Sequence, residues 1–235
     1  MPHRAYNLAI ETSSRHGSIT LGRCDELLAT ADLMQARRHN VPLVPAIDRL
    51  CRQHGIGPAD LGQVYVSIGP GSFTGLRVAV AAVKMLAMAQ GVRVAAVPTL
   101  DVLAQNAPPE AGHVAVCLNM KGQTCYSGVY RWAGGLWKLV SSPLLRTMEE
   151  LLREAPRPVA VLGDPLPALP AELAQDEGVT ILPATLAQPR SEAVWRLGRA
   201  MAQQGAWADA MRLTPLYARE PEAVTLWEKR HGQGD

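Results

Sequence analysis

The run Gly69-Pro70-Gly71-Ser72-Phe73-Thr74-Gly75 is the part of this sequence best suited to chemistry. It follows a short apolar stretch, Val64 to Ile68, and precedes good helix formers from about Leu76 to Gln90. A strand, a glycine-rich turn and a helix start, in that order, leave backbone N–H groups free to receive a phosphate or a carboxylate. Glycine permits positive φ and close approach, Pro70 stiffens the turn, and Ser72 or Thr74 supplies a helix cap and a hydroxyl donor. Gly69, Gly71, Ser72, Thr74, Gly75 and Arg77 therefore form a candidate nucleotide or anion loop. The same residues describe a tight turn into a capped helix equally well. The spacing is G-x-G-x-x-x-G rather than G-x-G-x-x-G, and no Gly-Lys-Ser/Thr follows. Ser72 lacks the G-x-S-x-G elbow of a serine nucleophile. Cys24, Cys51, Cys117 and Cys125 include no C-x-x-C pair and read as buried thiols of a reducing compartment.

The elements that must hold this loop follow from periodicity. Tyr6 to Thr12, Ser18 to Arg23 and Leu27 to Leu33 read as an antiparallel meander. Val41, Val44, Ile47, Leu50 and Cys51, spaced by threes and fours, predict a helix from Asn40 to His54. Gly91 ends the helix after the loop, and Val92 to Val97 is the next strand. The second half repeats the order, with strands at Val114 to Leu118, Cys125 to Trp132 and Leu136 to Ser141, a helix near Met148 to Glu154 and a strand at Val159 to Leu162. A β-β-β-α-β-α plan written twice predicts an α/β protein built from a duplicated unit with mixed sheets. Residues 1–104 and 105–235 are the expected lobes, with a last helix, Ser191 to Gln204, packing back on the first.

Composition excludes several classes. The chain has 235 residues, 48% of them hydrophobic and 19% charged, and 23 basic against 21 acidic residues. That balance fits a folded soluble protein without an overall field for nucleic acid or membrane. A standalone RNA-binding module would need a basic patch interleaved with aromatics, and Arg37-Arg38 is too brief to make one. The apolar stretch from Val78 to Val97 is broken by Lys84 and Arg93, and no segment reads as an export signal. The expectation is a cytoplasmic protein with no membrane partner.

As a string, GPGSFTGLRV resembles the signature of the TsaB family, relatives of the actin and sugar-kinase superfamily. Leu8-Ala9-Ile10-Glu11-Thr12-Ser13 is similar to the family's first strand and hydroxyl turn, with Glu11 where aspartate is usual. Pro215-Leu216-Tyr217-Ala218-Arg219 is similar to its C-terminal P-x-Y-x-R box. The resemblance implies a two-lobed actin/sugar-kinase-like (RNase H-like) fold. It also implies a non-catalytic subunit that supports the catalytic subunit TsaD in making threonylcarbamoyladenosine beside the tRNA anticodon, with the ATPase TsaE as a further partner. A homodimer is a further expectation, tRNA is met only through the complex, and ATP or ADP is expected at the complex interface rather than on this chain alone.

The resemblance sharpens the expectation of no catalysis. TsaD carries a metal-binding H-x-x-x-H, and here Leu43 stands four residues after His39, so no metal is expected. Actin-type phosphotransferases hold Mg²⁺ with acids on the first strands of both lobes. Where the second lobe of the family shows acids, this chain has Asn119 and Gln123, which bring no charge to a cation. An ATP-dependent kinase of the sugar-kinase superfamily is the runner-up. The expected partner surface is the helix pair Asn40 to His54 and Leu76 to Gln90, through Val41, Val44, Ala79, Ala82, Val83 and Leu86. In the resemblance this pair meets its TsaD equivalent in a four-helix arrangement.

Overall fold

Short apolar runs bounded by polar turns give the strands, and period-two alternation decides which helix each side chain meets. The computed structural model describes residues 5–33, 42–120, 123–163, 166 and 171–218. Strands β1 (Tyr6–Glu11), β2 (Ser18–Arg23) and β3 (Glu26–Asp32) form the antiparallel meander. Helix α1 (Leu43–Gln53) follows, then β4 (Leu61–Gly69), α2 (Phe73–Gln90) and β5 (Arg93–Pro98). The strand order is β3-β2-β1-β4-β5, with β1, β4 and β5 parallel. Leu8 and Ile10 point toward α1 and α2, while Ala9 points to the opposite face.

Helix α3 (Thr99–Ala104) leaves the end of β5 and enters the second half. There β6 (His113–Asn119), β7 (Thr124–Ala133), β8 (Leu136–Thr147), α4 (Met148–Glu154), β9 (Val159–Leu162), α5 (Ala171–Ala174) and β10 (Val179–Ile181) rebuild the same topology. The order β8-β7-β6-β9-β10 repeats β3-β2-β1-β4-β5 position for position, including the parallel pairs. The duplicated, two-lobed α/β plan expected from the pattern is present. Three elements were not read from the sequence. The helices α3 and α5 are only six and four residues long, and β10 is three, below the length at which periodicity is visible.

The final helix, α6 (Ser191–Gln203), lies against β1, β2, β4 and β5, on the face of the first sheet opposite α1 and α2. Ala193, Val194 and Trp195 pack there with Ala9, Tyr65, Ala95 and Val97. Gly198 lets the two backbones close up, since a Cβ at that position would sit 2.2 Å from the Tyr65 ring. Helix α3 spans the two halves. Its Asp101 Oδ1 accepts from the Tyr130 hydroxyl at 2.8 Å, and the neighbouring Gln105 bonds both the N–H and the C=O of Trp137.

Boundaries moved where caps overrule periodicity. Helix α2 begins at Phe73 rather than Leu76 because Ser72 Oγ accepts from the Gly75 N–H at 3.3 Å, an N-cap bond of about 1 kcal/mol. Helix α1 is described from Leu43, after Pro42 in an extended conformation. His39, Asn40 and Val41 lie outside the described residues. Cys51, Cys117 and Cys125 are buried as expected, but Cys24 is exposed, carried at φ 50° on the tight turn from β2 to β3.

Candidate functional site

The glycine loop is a joint between two backbones. Its Ser72 N–H donates to the Ser13 carbonyl at 2.7 Å, and the Thr12 hydroxyl donates to the Gly75 carbonyl at 2.9 Å. A Cβ on Gly71 would lie 2.3 Å from the Ser13 carbonyl oxygen, and one on Gly75 would lie 2.1 Å from that of Thr12. These glycines are therefore required by the turn after β1, which packs directly on the loop. Gly69, at φ 108° before a cis bond to Pro70, has the Leu216 carbonyl oxygen 2.6 Å from where its Cβ would be. Leu216 itself donates its N–H to the Ile68 carbonyl at 2.7 Å.

The six loop candidates thus separate into three groups. Gly69 and Gly71 are filled by neighbouring backbone. Ser72, Thr74 and Gly75, with Thr12, Ser14 and Arg15, line an open cleft of about 500 Å³ beside the starts of α1 and α2. Arg77 turns away from that cleft. Its guanidinium carbon stands 3.7 Å from the Phe73 ring centroid, and its Nε donates to the Tyr217 hydroxyl at 3.2 Å. The P-x-Y part of the C-terminal box is therefore an anchor on the loop; Arg219 lies outside the described residues.

Below the joint, at the C-terminal end of β1, Glu11 is wholly buried. Its Oε1 accepts from the Ser13 N–H, and its Oε2 has no hydrogen-bond partner. Burial pushes its pKa above the ordinary 4.5, against the pull of Ser13 and Ser67. A carboxyl sealed under a turn, where burial disfavours its charged form, is poorly placed to hold Mg²⁺. At the matching end of β6 stands Asn119, opposite Cys125 on β7. Among the described residues no three of His, Cys, Asp and Glu converge as metal ligands.

The raised Glu11 pKa has a definite sign for stability. The folded chain binds this proton more tightly than the unfolded chain, so the contribution is complete below the unfolded value of 4.5 and is lost as pH rises through the folded value. Glu11→Gln removes that loss. Its melting temperature should match wild type near pH 4.5 and exceed it at pH ~8. Equal differences at both pH values would mean that folding does not raise the Glu11 pKa.

The exposed face of α2 is the other notable feature. Ala79, Ala82 and Val83, read from the sequence as partner contacts, point inward and pack on the first sheet. Leu86 is half-buried against the same core. That expectation is corrected. Helix α2 is apolar on both sides, so hydrophobicity alone could not tell which face meets the sheet. By length and composition it is also apolar enough to cross a membrane. The outward residues are Thr74, Val78, Ala81, Met85 and Met88, spaced alternately by four and three along one stripe opposite the core. Val78, Met85 and Met88 are 47%, 64% and 76% exposed. On the adjoining α1, Val44 is 55% exposed; Val41 lies outside the described residues.

Comparison with known proteins completes the description. Residues 27–212 match the family described as TsaD, tRNA N6-adenosine threonylcarbamoyltransferase. A Bacillus subtilis (strain 168) protein named tRNA threonylcarbamoyladenosine biosynthesis protein TsaB is 31% identical over 226 residues, covering 94% of this chain and 96% of its own. The Escherichia coli (strain K12) protein of the same name is 23% identical over 234 residues, covering 96% and 98%. Among solved structures, YeaZ from Pseudomonas aeruginosa shares the fold with a TM-score of 0.70 at 24% identity, over 91% of this chain and 99% of that one. Another structure from that organism, of a protein described as similar to the peptidase YeaZ, gives 0.74 at 24% identity, over 92% and 100%.

Proposed function

This chain belongs to the TsaB family of tRNA threonylcarbamoyladenosine biosynthesis proteins, and from that premise we propose that it is the non-catalytic subunit that docks a TsaD-type catalytic subunit. The observation that carries the reading is the α2 stripe. Isolated apolar residues are ordinary on a surface, whereas a continuous row of them opposite the core is a contact face. Val78, Ala81, Met85 and Met88 together with Val44 give the α1–α2 pair such a face. A second helix pair laid on it buries both rows.

The lack of catalysis in this reading rests on Glu11 and Asn119. One is an acid wholly buried under a turn, where burial disfavours its charged form, and the other is an amide at the equivalent strand end, so this pair is poorly suited to hold a cation. Nothing in the geometry favours the sugar-kinase reading. In the proposed assembly, which works in the cytoplasm, a TsaE-type ATPase joins the pair and tRNA meets the complex rather than this chain alone. ADP or ATP is expected at the cleft beside Ser72 and Thr74 only when the partner closes it. Size-exclusion chromatography with light scattering on this chain mixed with a TsaD-type subunit tests the pairing. Co-elution as one species is expected, and separate elution at micromolar concentrations would refute it. Calorimetry with ADP should then give heat for the pair and none for this chain alone.

A further inference from the structure

The flanks of the α2 stripe carry information about what covers it, and the reasoning rests on the docking role given above. With Thr74, Val78, Ala81, Met85 and Met88 as the seam, Arg77 and Lys84 fall seven residues apart on the same side of it. Helix α2 contains no acidic residue. On α1 the one carboxylate, Asp48, is already bonded to Arg52 at 2.9 Å, and Arg49 is exposed beside it. Neither Arg77 nor Lys84 forms an ion pair among the described residues. Arg77 is exposed and also held in place, stacked on Phe73 and tied through Nε to the Tyr217 hydroxyl.

We propose that the occupant of this face is a helix of a different chain, apolar along its own seam and bearing carboxylates at heptad spacing that meet Arg77 and Lys84. A second copy of this chain fits worse. Antiparallel self-pairing sets the cation row of one helix against that of the other, and parallel self-pairing sets it against Gly75, Ala82 and Ala89, which carry no charge. The flanking cations thus select a distinct acidic partner over the chain itself, repelling the wrong pairing as well as attracting the right one. Tyr217 and Phe73 act as positioning residues for Arg77, which explains why the C-terminal segment is anchored at the start of α2.

The test is titration calorimetry of the full chain against a TsaD-type subunit at ~0.05 M and ~0.3 M salt. Wild type should bind and weaken with salt. Arg77→Gln combined with Lys84→Gln should bind about tenfold more weakly at low salt and lose most of the salt dependence. Arg77→Lys should keep the salt dependence, and Tyr217→Phe should show a smaller loss than the double variant. A double variant with wild-type affinity and salt slope overturns the proposal. So does an effect seen only with nucleotide present, which would assign Arg77 to a phosphate, and so does self-association of the wild-type chain as tight as its binding to the subunit. Absence of any wild-type binding would instead refute the docking role itself.

Discussion

Met85→Glu, and independently Ala81→Glu, should abolish pairing with a TsaD-type subunit while leaving the fold of this chain intact. Met85 is 64% exposed and Ala81 also faces outward, so an acid at either place is solvated in the free chain. In the pair it would be buried in an apolar seam. Burying an unpaired charge costs about 3 kcal/mol or more, over 100-fold in Kd. Ala82→Glu is the contrasting variant. Ala82 is 5% exposed and packs in the core beside Val83, so its replacement should unfold the chain and lose pairing for that reason. Circular dichroism of the three variants, run alongside binding, separates the outcomes. A folded Met85→Glu protein that binds like wild type would remove α2 from the interface.

Gly75→Ala should be among the most damaging single-methyl changes in the molecule. The added Cβ lands 2.1 Å from the Thr12 carbonyl oxygen, and that oxygen belongs to backbone that cannot rotate away. The turn after β1 must move, breaking the Ser72 to Ser13 and Thr12 to Gly75 hydrogen bonds. Overpacking with loss of two partly buried bonds is worth about 3 kcal/mol or more, a fall of about 6–12 °C in melting temperature for a chain of this length. Thermal denaturation measures it directly. A melting temperature within ~1 °C of wild type, well below the scale of that shift, would mean that the loop is open rather than closed on the turn.

Much of this was legible in the sequence, for reasons that differ by element. The repeated strand order was visible because half-buried strands alternate and end in glycine and polar turns, as at Gly134-Gly135 between β7 and β8. The TsaB-like string located the strand, loop and helix correctly, but not the job of its glycines. Gly71 and Gly75 answer to Thr12 and Ser13, some sixty residues earlier in the chain, and no local pattern records such a contact. The α2 interface residues failed for a related reason. Both faces of the helix are apolar, and only the sheet below it decides that Val83 goes in and Met85 stays out. Arg77 was visible as a candidate anion ligand. Its clamp by Phe73 and Tyr217 joins residues 140 positions apart, which only the fold brings together.

The role in tRNA modification is tested most directly by mass spectrometry of threonylcarbamoyladenosine in total tRNA. Cells should be depleted of this protein and resupplied with wild type, Met85→Glu or Glu11→Gln. The modification should fall on depletion, return fully with wild type and with Glu11→Gln, and stay low with a stably folded Met85→Glu. Unchanged threonylcarbamoyladenosine in depleted cells would contradict the account at its centre.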